Sequence, residues 1–339
     1  MNERTNLLHS LFAQDLTRDA TKYFLSKLIP GLCGLLFVVL MVRIVGNEQY
    51  GRYALFFSLV CMAAELFGGW MRLSLLRFYT LYEEAMSLRF SISVMAAASI
   101  LAGMGFLIIA STAGLAAGYS VGAQATFLFL FSALILYNTK LALLQAQIRP
   151  WSVAKMEMFR SGFGLLLPVF FALLVNSYVS VILGLIGAYT IPMLLVEREE
   201  NKGFLSLCKR RRGELAGKIL GEFWHYGWPL SIWFSLLLGF QVVDRYLIQL
   251  YYGIAETGRY SSLYDVVFRG YSLLLLPVSL AAHPRIMAFW NRNQRREAVA
   301  LLKTAFLFKT VIFLATFSVY FVFSGTFLTW ISPAMEPSH

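Results

Sequence analysis

Gly46-Asn47-Glu48-Gln49-Tyr50-Gly51-Arg52-Tyr53 returns without a gap, 207 residues further along, as Gly253-Ile254-Ala255-Glu256-Thr257-Gly258-Arg259-Tyr260. Each copy separates two long apolar runs. A turn between antiparallel helices needs glycine, because the chain must reverse in a few residues with positive φ available. Gly-x-Tyr turns also recur by coincidence. Here, however, span number, membrane side and spacing all agree, and six spans lie between the copies. An even number of spans makes the halves parallel repeats, related by an axis along the membrane normal.

The runs around these turns are long enough to cross a bilayer core, which takes about 20 helical residues. Nine are expected: Phe24–Val45, Tyr53–Trp70, Phe90–Ser111, Ala123–Leu144, Ser161–Val175, Tyr178–Val196, Trp228–Leu250, Tyr260–Ala282 and Thr304–Trp330. The fifth is short and the eighth carries charge. The runs lack the two-residue alternation of barrel strands, and lipid leaves no water to satisfy an open backbone, so helices are predicted. The first run is too long for a cleavable signal, and no small-residue cleavage site follows it. The fold class is therefore an all-α polytopic membrane protein of about nine transmembrane helices, in two parallel-repeat bundles.

Composition agrees. The 339 residues are 58% hydrophobic and 14% charged, against roughly 25% charged in a soluble domain, and the mean hydropathy is +0.66. Soluble enzymes, disordered chains and nucleic-acid binders are excluded together. The net charge of +11 points first to the membrane surface. Cys33 and Cys61 lie in apolar runs and Cys208 in a basic loop, so neither a disulfide framework nor a thiolate metal site is expected. His9, His225, His283 and His339 form no ligand-spaced cluster. No cofactor is implied.

Basic residues orient the chain. With the N-terminus in the cytoplasm, twenty-five Lys and Arg fall on the inner side. Only Arg43, Arg52, Arg245 and Arg259 fall outside, a strong positive-inside asymmetry. No outer loop exceeds about a dozen residues and no phosphate-binding glycine loop occurs, so neither an external catalytic domain nor an ATPase fits. The expected organisation is an interfacial cytoplasmic arm at 1–23, with Leu7, Leu8, Leu11, Phe12 and Leu16 on one helical side. A six-helix bundle follows at 24–196, a basic linker at 197–223 and three helices of a second bundle at 224–330. A short outer tail occupies 331–339. Paired bundles of this kind create an interface cavity that rocks open to either side, which argues for a transporter.

Arg43-Ile44-Val45-Gly46-Asn47-Glu48-Gln49-Tyr50-Gly51-Arg52-Tyr53-Ala54 closely resembles the signature at the end of the first helix of bacterial polysaccharide-unit flippases. These belong to the multidrug/oligosaccharidyl-lipid/polysaccharide exporter superfamily. Glu65-Leu66-Phe67-Gly68-Gly69 with Arg72 and Arg77-Phe78 is similar to that family's second-helix pattern. Val243-Asp244-Arg245-Tyr246, Gly258-Arg259-Tyr260-Ser261 and Leu276-Pro277-Val278-Ser279 with Pro284-Arg285 look like its matching later stretches. The resemblance covers about residues 20–310. It implies a non-enzymatic carrier in the bacterial inner membrane that turns undecaprenyl-pyrophosphate-linked oligosaccharide units from the cytoplasmic to the periplasmic leaflet. Surface polysaccharide (O-antigen or lipopolysaccharide) biosynthesis is the expected context, with a polysaccharide polymerase and chain-length machinery as partners. The family has roughly twelve spans or more, so a second bundle of three helices is expected to be truncated or completed by another chain.

A charge at mid-bilayer costs at least about 2.5–3.5 kcal/mol, so each one inside a span needs a reason. Lys27, Arg72, Arg77 and Arg269 are the candidate substrate-binding cations. All but Arg269 are equally readable as residues snorkelling to the inner headgroups. Glu65 and Asp265 are the candidates for ion or proton coupling. Glu65 and Arg72 stand seven residues apart on one helix face, readable as a structural ion pair or as an acid that titrates while the arginine meets the substrate's phosphate. Asp265 and Arg269 have i,i+4 spacing with the acid first, and either line the cavity or lock a neighbouring helix. Fixed arginines suit a pyrophosphate head because they replace its hydration by bidentate bonds. Asp244 beside Arg245 reads as an interface anchor. Lys209–Arg212 reads as a topology anchor that also attracts anionic lipids. Trp224, Trp228, Trp290 and Trp330 read as belt aromatics. The rival expectations are a drug exporter of the same superfamily, whose cavity should be acid-rich, a polysaccharide polymerase or ligase, and a non-transporting assembly partner.

Overall fold

A computed structural model describes the backbone of residues 2–82, 86–112, 121–200 and 213–322, with side chains from residue 28 onward at most of these positions. The expected basic run Lys209–Arg212, Trp330 and the tail at 331–339 lie outside the described residues. The side chains of Lys27 and of the 1–23 arm do so too.

Eight helices and no strand occur among the described residues: α1 (Asn2–Tyr82), α2 (Met86–Thr112), α3 (Val121–Ala146), α4 (Pro150–Leu174), α5 (Tyr178–Glu200), α6 (Gly213–Tyr252), α7 (Ile254–Asn291) and α8 (Arg295–Val322). The first two expected spans both lie in α1, which breaks at Gly46 with φ 79° and ψ 170°. That backbone region is essentially reserved for glycine. The second copy of the repeat begins at Gly253, again with positive φ (88°), between α6 and α7. Seven of the eight helices are long and apolar enough to cross a membrane. The exception is α7, which carries Glu256, Arg259, Asp265 and Arg269.

Several boundaries differ from expectation: α1 runs on to Tyr82 past Trp70, α6 begins at Gly213 rather than Trp228, and α8 begins at Arg295 rather than Thr304. The expected eighth span, Tyr260–Ala282, lies in α7, whose charges keep it from being apolar enough to count as a crossing. The fifth span was expected over Ser161–Val175, because Lys155, Glu157 and Arg160 interrupt the apolar run. Instead α4 begins at Pro150, a proline in the first helical turn, and continues to Leu174. Charges end an apolar run without ending a helix, and proline at the first helical position has its φ already set and no N–H to lose. The helix closes where Val175 turns extended and the Ser180 hydroxyl donates to the Val175 and Ser177 carbonyls.

The chain forms two compact units, Ile44–Ser261 and a second made of Met1–Arg43 with Ser262–His339. In the first unit, α3 supplies the core: Phe127, Leu130, Phe131, Leu134 and Ile135 are buried. Phe131 packs against Phe127 and edge-on to Phe67 of α1. Small residues let helices close. A Cβ on Gly68 would stand 2.9 Å from Ile135, and one on Gly184 of α5 would strike the Pro168 backbone of α4. Close approach through glycine is the usual basis of helix association in lipid.

The same unit contains both copies of the repeat, and they touch. A Cβ on Gly51 would collide with the Ile254 carbonyl, and one on Gly258 with the Asn47 carbonyl. Residues 47 and 254 are themselves equivalent at the 207-residue offset, as are 51 and 258. The contact therefore has twofold pseudosymmetry, backbone against backbone. Arg52 pairs with Glu48 at 2.8 Å and Arg259 with Glu256 at 2.7 Å, so each repeat arginine is held within its own turn.

In the second unit, Gly31 and Gly34 of α1 face α7. A Cβ on Gly31 would meet Leu273 at 2.6 Å. Val278 and Ala282 of α7 bury against Leu301 and Ala305 of α8, and Tyr271 stacks on Phe313.

Candidate functional site

The second half of α1 and the length of α6 are joined by polar side chains that reach the partner's backbone. The Tyr246 hydroxyl donates to the Leu55 carbonyl at 2.9 Å and lies 3.2 Å from Ser58 Oγ. Further along, the Ser235 hydroxyl donates to Met62 O at 3.0 Å, and the Ser74 hydroxyl donates to Phe223 O at 2.7 Å. Gly227 presses so close that a Cβ would strike the Trp70 carbonyl. A hydroxyl in an apolar span finds its partner in a backbone carbonyl because no water competes.

Between these contacts lies the acid–arginine pair. Arg72 Nη2 reaches back two turns to Glu65 Oε1 at 2.6 Å, and their side chains are 32% and 12% exposed. Gly69 makes room for the carboxylate: a Cβ there would lie 2.6 Å from Glu65 Oε1 and 3.0 Å from Ser231 Oγ. Consecutive Gly68 and Gly69 thus serve two neighbours, Ile135 of α3 on one side and the Glu65–Ser231 cluster on the other. Ser231 is 1% exposed, and its hydroxyl has no partner among the described residues. An unpaired hydroxyl and a largely buried carboxylate thus both pack against Gly69 in an otherwise apolar wall.

Arg77 is not part of that pair. It is exposed, and its guanidinium lies over the Tyr226 ring at 4.4 Å and near Phe78 at 5.4 Å. Beside it is a cavity of about 600 Å³ lined by Phe78, Gly221, Glu222, His225 and Tyr226. On the neighbouring face of α6, Trp224 meets Trp70 edge-on at 5.2 Å. With Trp228, Phe67 and Ser99 they line an apolar groove. Trp224 and Trp228, expected as belt aromatics, therefore pack into a groove wall.

In the other unit, Arg269 lies against α1: a Cβ on Gly34 would be 2.5 Å from its Nη1. Asp265 is half-buried one turn earlier on α7. Within the first unit, Asp244 accepts from the Arg245 backbone N–H at 2.8 Å and from the Tyr260 hydroxyl, which ties α6 to the second repeat. Ser231, Tyr226, Glu222 and Tyr246 carry no mark in the sequence, because the residues they come to lie beside stand some 140 to 190 positions away in the chain. Among the described residues, no cluster of three His, Cys, Asp or Glu is placed to hold a metal.

No protein-family model matches the chain, and no curated protein does. A solved structure described as "Crystal structure of MATE in complex with MaD3S" is similar to it, with a TM-score of 0.55 and 15% identity over 94% of this chain and 77% of that one. At that identity the likeness concerns the fold. The chain is a multi-pass, all-helical membrane protein whose fold is similar to that of a MATE transporter.

Proposed function

We propose that this protein is a transporter that flips undecaprenyl-pyrophosphate-linked oligosaccharide units from the cytoplasmic to the periplasmic leaflet of the bacterial inner membrane. The observation that carries the reading is the Glu65–Arg72 pair, with Gly69 clearing the space beside it. An arginine held within a span by a carboxylate is a ready anion ligand. A phosphate takes the place of the carboxylate, and the released acid then accepts a proton or cation. Binding and coupling become alternative states of one cluster. The MATE-like fold supports transport by alternating access, with the lipid tail remaining in the bilayer while the head crosses.

Arg269 and Lys27 extend the same role, and Asp265 gives a second coupling candidate. Drug export is the second reading, favoured by the likeness to a MATE structure, and its substrates would be cations. The paired arginine weighs against it, because it neutralises the one acid of the cluster.

Reconstitution into proteoliposomes decides between them. A fluorescent lipid-linked oligosaccharide should become accessible to an external glycosidase, and cationic dyes should not accumulate. Arg72→Ala should abolish the movement while insertion and folded yield are kept. Dye transport without lipid flipping would establish the second reading, and movement of neither would leave an assembly role.

A further inference from the structure

We infer that the cavity at the end of α1 and the start of α6 is a docking site for the first sugar of the substrate, used before the head enters the membrane. This rests on the flipping reading and names the part of the substrate that the site reads.

The chemistry of the walls is that of a glycosyl pyrophosphate. Phe78 and Tyr226 line the cavity with aromatic carbon. Arg77 covers one face of Tyr226 and Phe78 stacks on Phe223, so what remains for the apolar C–H face of a pyranose is the ring carbon left toward the cavity. Glu222 offers carboxylate oxygens for sugar hydroxyls. One of them, Oε2, already accepts the Tyr82 hydroxyl at 2.6 Å, so the carboxylate is aimed before any ligand arrives, and less freedom is lost on binding. His225 also lines the cavity. Arg77 is exposed with its guanidinium 4.4 Å from the Tyr226 ring centre, and its N–H groups suit a phosphate.

Volume and position fit as well. About 600 Å³ lies within the 300–1,000 Å³ usual for small-molecule sites. Arg77 and Tyr82 are five residues apart on one helix, about 7.5 Å of rise, roughly one sugar beyond a phosphate. The positive-inside asymmetry puts this end of α1 on the cytoplasmic side, where the units are made. A cationic ligand is disfavoured by Arg77, and an anionic lipid headgroup alone leaves Glu222 and the ring carbon unused.

The full chain in phosphatidylcholine nanodiscs is titrated calorimetrically with two soluble probes, citronellyl pyrophosphate and citronellyl pyrophosphoryl-N-acetylglucosamine. The sugar-bearing probe should bind about tenfold more tightly. Glu222→Gln, an isosteric change that keeps the fold, and Tyr226→Ala should erase that difference, and Arg77→Ala should weaken both probes about tenfold. Equal affinity of the two probes in the unmodified chain, or an unchanged difference in Glu222→Gln, would overturn the inference. Proteoliposome flipping run in parallel separates the two claims. A sugar-dependent difference without flipping sinks the transport reading and keeps the site, whereas flipping without the difference sinks the site alone.

Discussion

At the scale of single residues, the site depends on what glycine leaves out. Gly69 has no side chain, and the vacated space belongs to Glu65 and Ser231. Gly69→Ala should push the Glu65 carboxylate off Arg72 and lower flipping about tenfold, the rate equivalent of losing one charge-assisted hydrogen bond. Gly105→Ala is the matched control, since nothing lies within 4 Å of its added methyl. There the change should stabilise α2 by about 0.5–1 kcal/mol and leave transport untouched, as read by a thermal-shift assay and the glycosidase assay together. Glu65→Gln should keep a hydrogen bond to Arg72 and remove the charge. The expected outcome is flipping that no longer responds to an imposed ion gradient. The Glu65–Arg72 relation was legible beforehand, because seven residues are two helical turns and an arginine spans them. Ser231 was not, because a serine in an apolar run carries no mark of the carboxylate that the fold will place beside it.

At the scale of elements, α1 and α6 form a pair fixed by hydroxyl-to-carbonyl bonds along most of their common length. Each bond is individually modest. Tyr246→Phe should lower stability by about 0.6 kcal/mol, a typical value for an interhelical hydrogen bond in a membrane, measurable by unfolding in mixed micelles. Gly46→Ala should cost about 1–3 kcal/mol, because its φ and ψ fall where only glycine is at ease. The helices themselves were readable from apolar length, since lipid forces every backbone polar group into a helix. The start of α4 was not, because Lys155, Glu157 and Arg160 break the hydropathy signal but leave the backbone free to continue. The pairing of α1 with α6 was equally hidden. It is carried by a handful of serines, one tyrosine and Gly227, and none of these stands out from the other small residues of the spans.

At the scale of the whole molecule, the charge asymmetry is itself a prediction. In intact spheroplasts a membrane-impermeant maleimide should label Asn176→Cys and spare the native Cys208, which should react only after permeabilisation. The reverse pattern would invert every assignment of side, including that of the sugar site. The repeat was legible as a string of letters, and the structure adds what letters alone could not tell: the two copies meet each other.

That meeting has a consequence for how damage combines. Because Gly51 abuts the backbone around Gly258 and Gly258 abuts the backbone around Gly51, one methyl group added at either position pries open the same seam. The injury is shared, so the Gly51→Ala/Gly258→Ala double variant should lose clearly less stability than the two single losses added together. It is the self-complementary logic of a homodimer axis, kept inside one polypeptide.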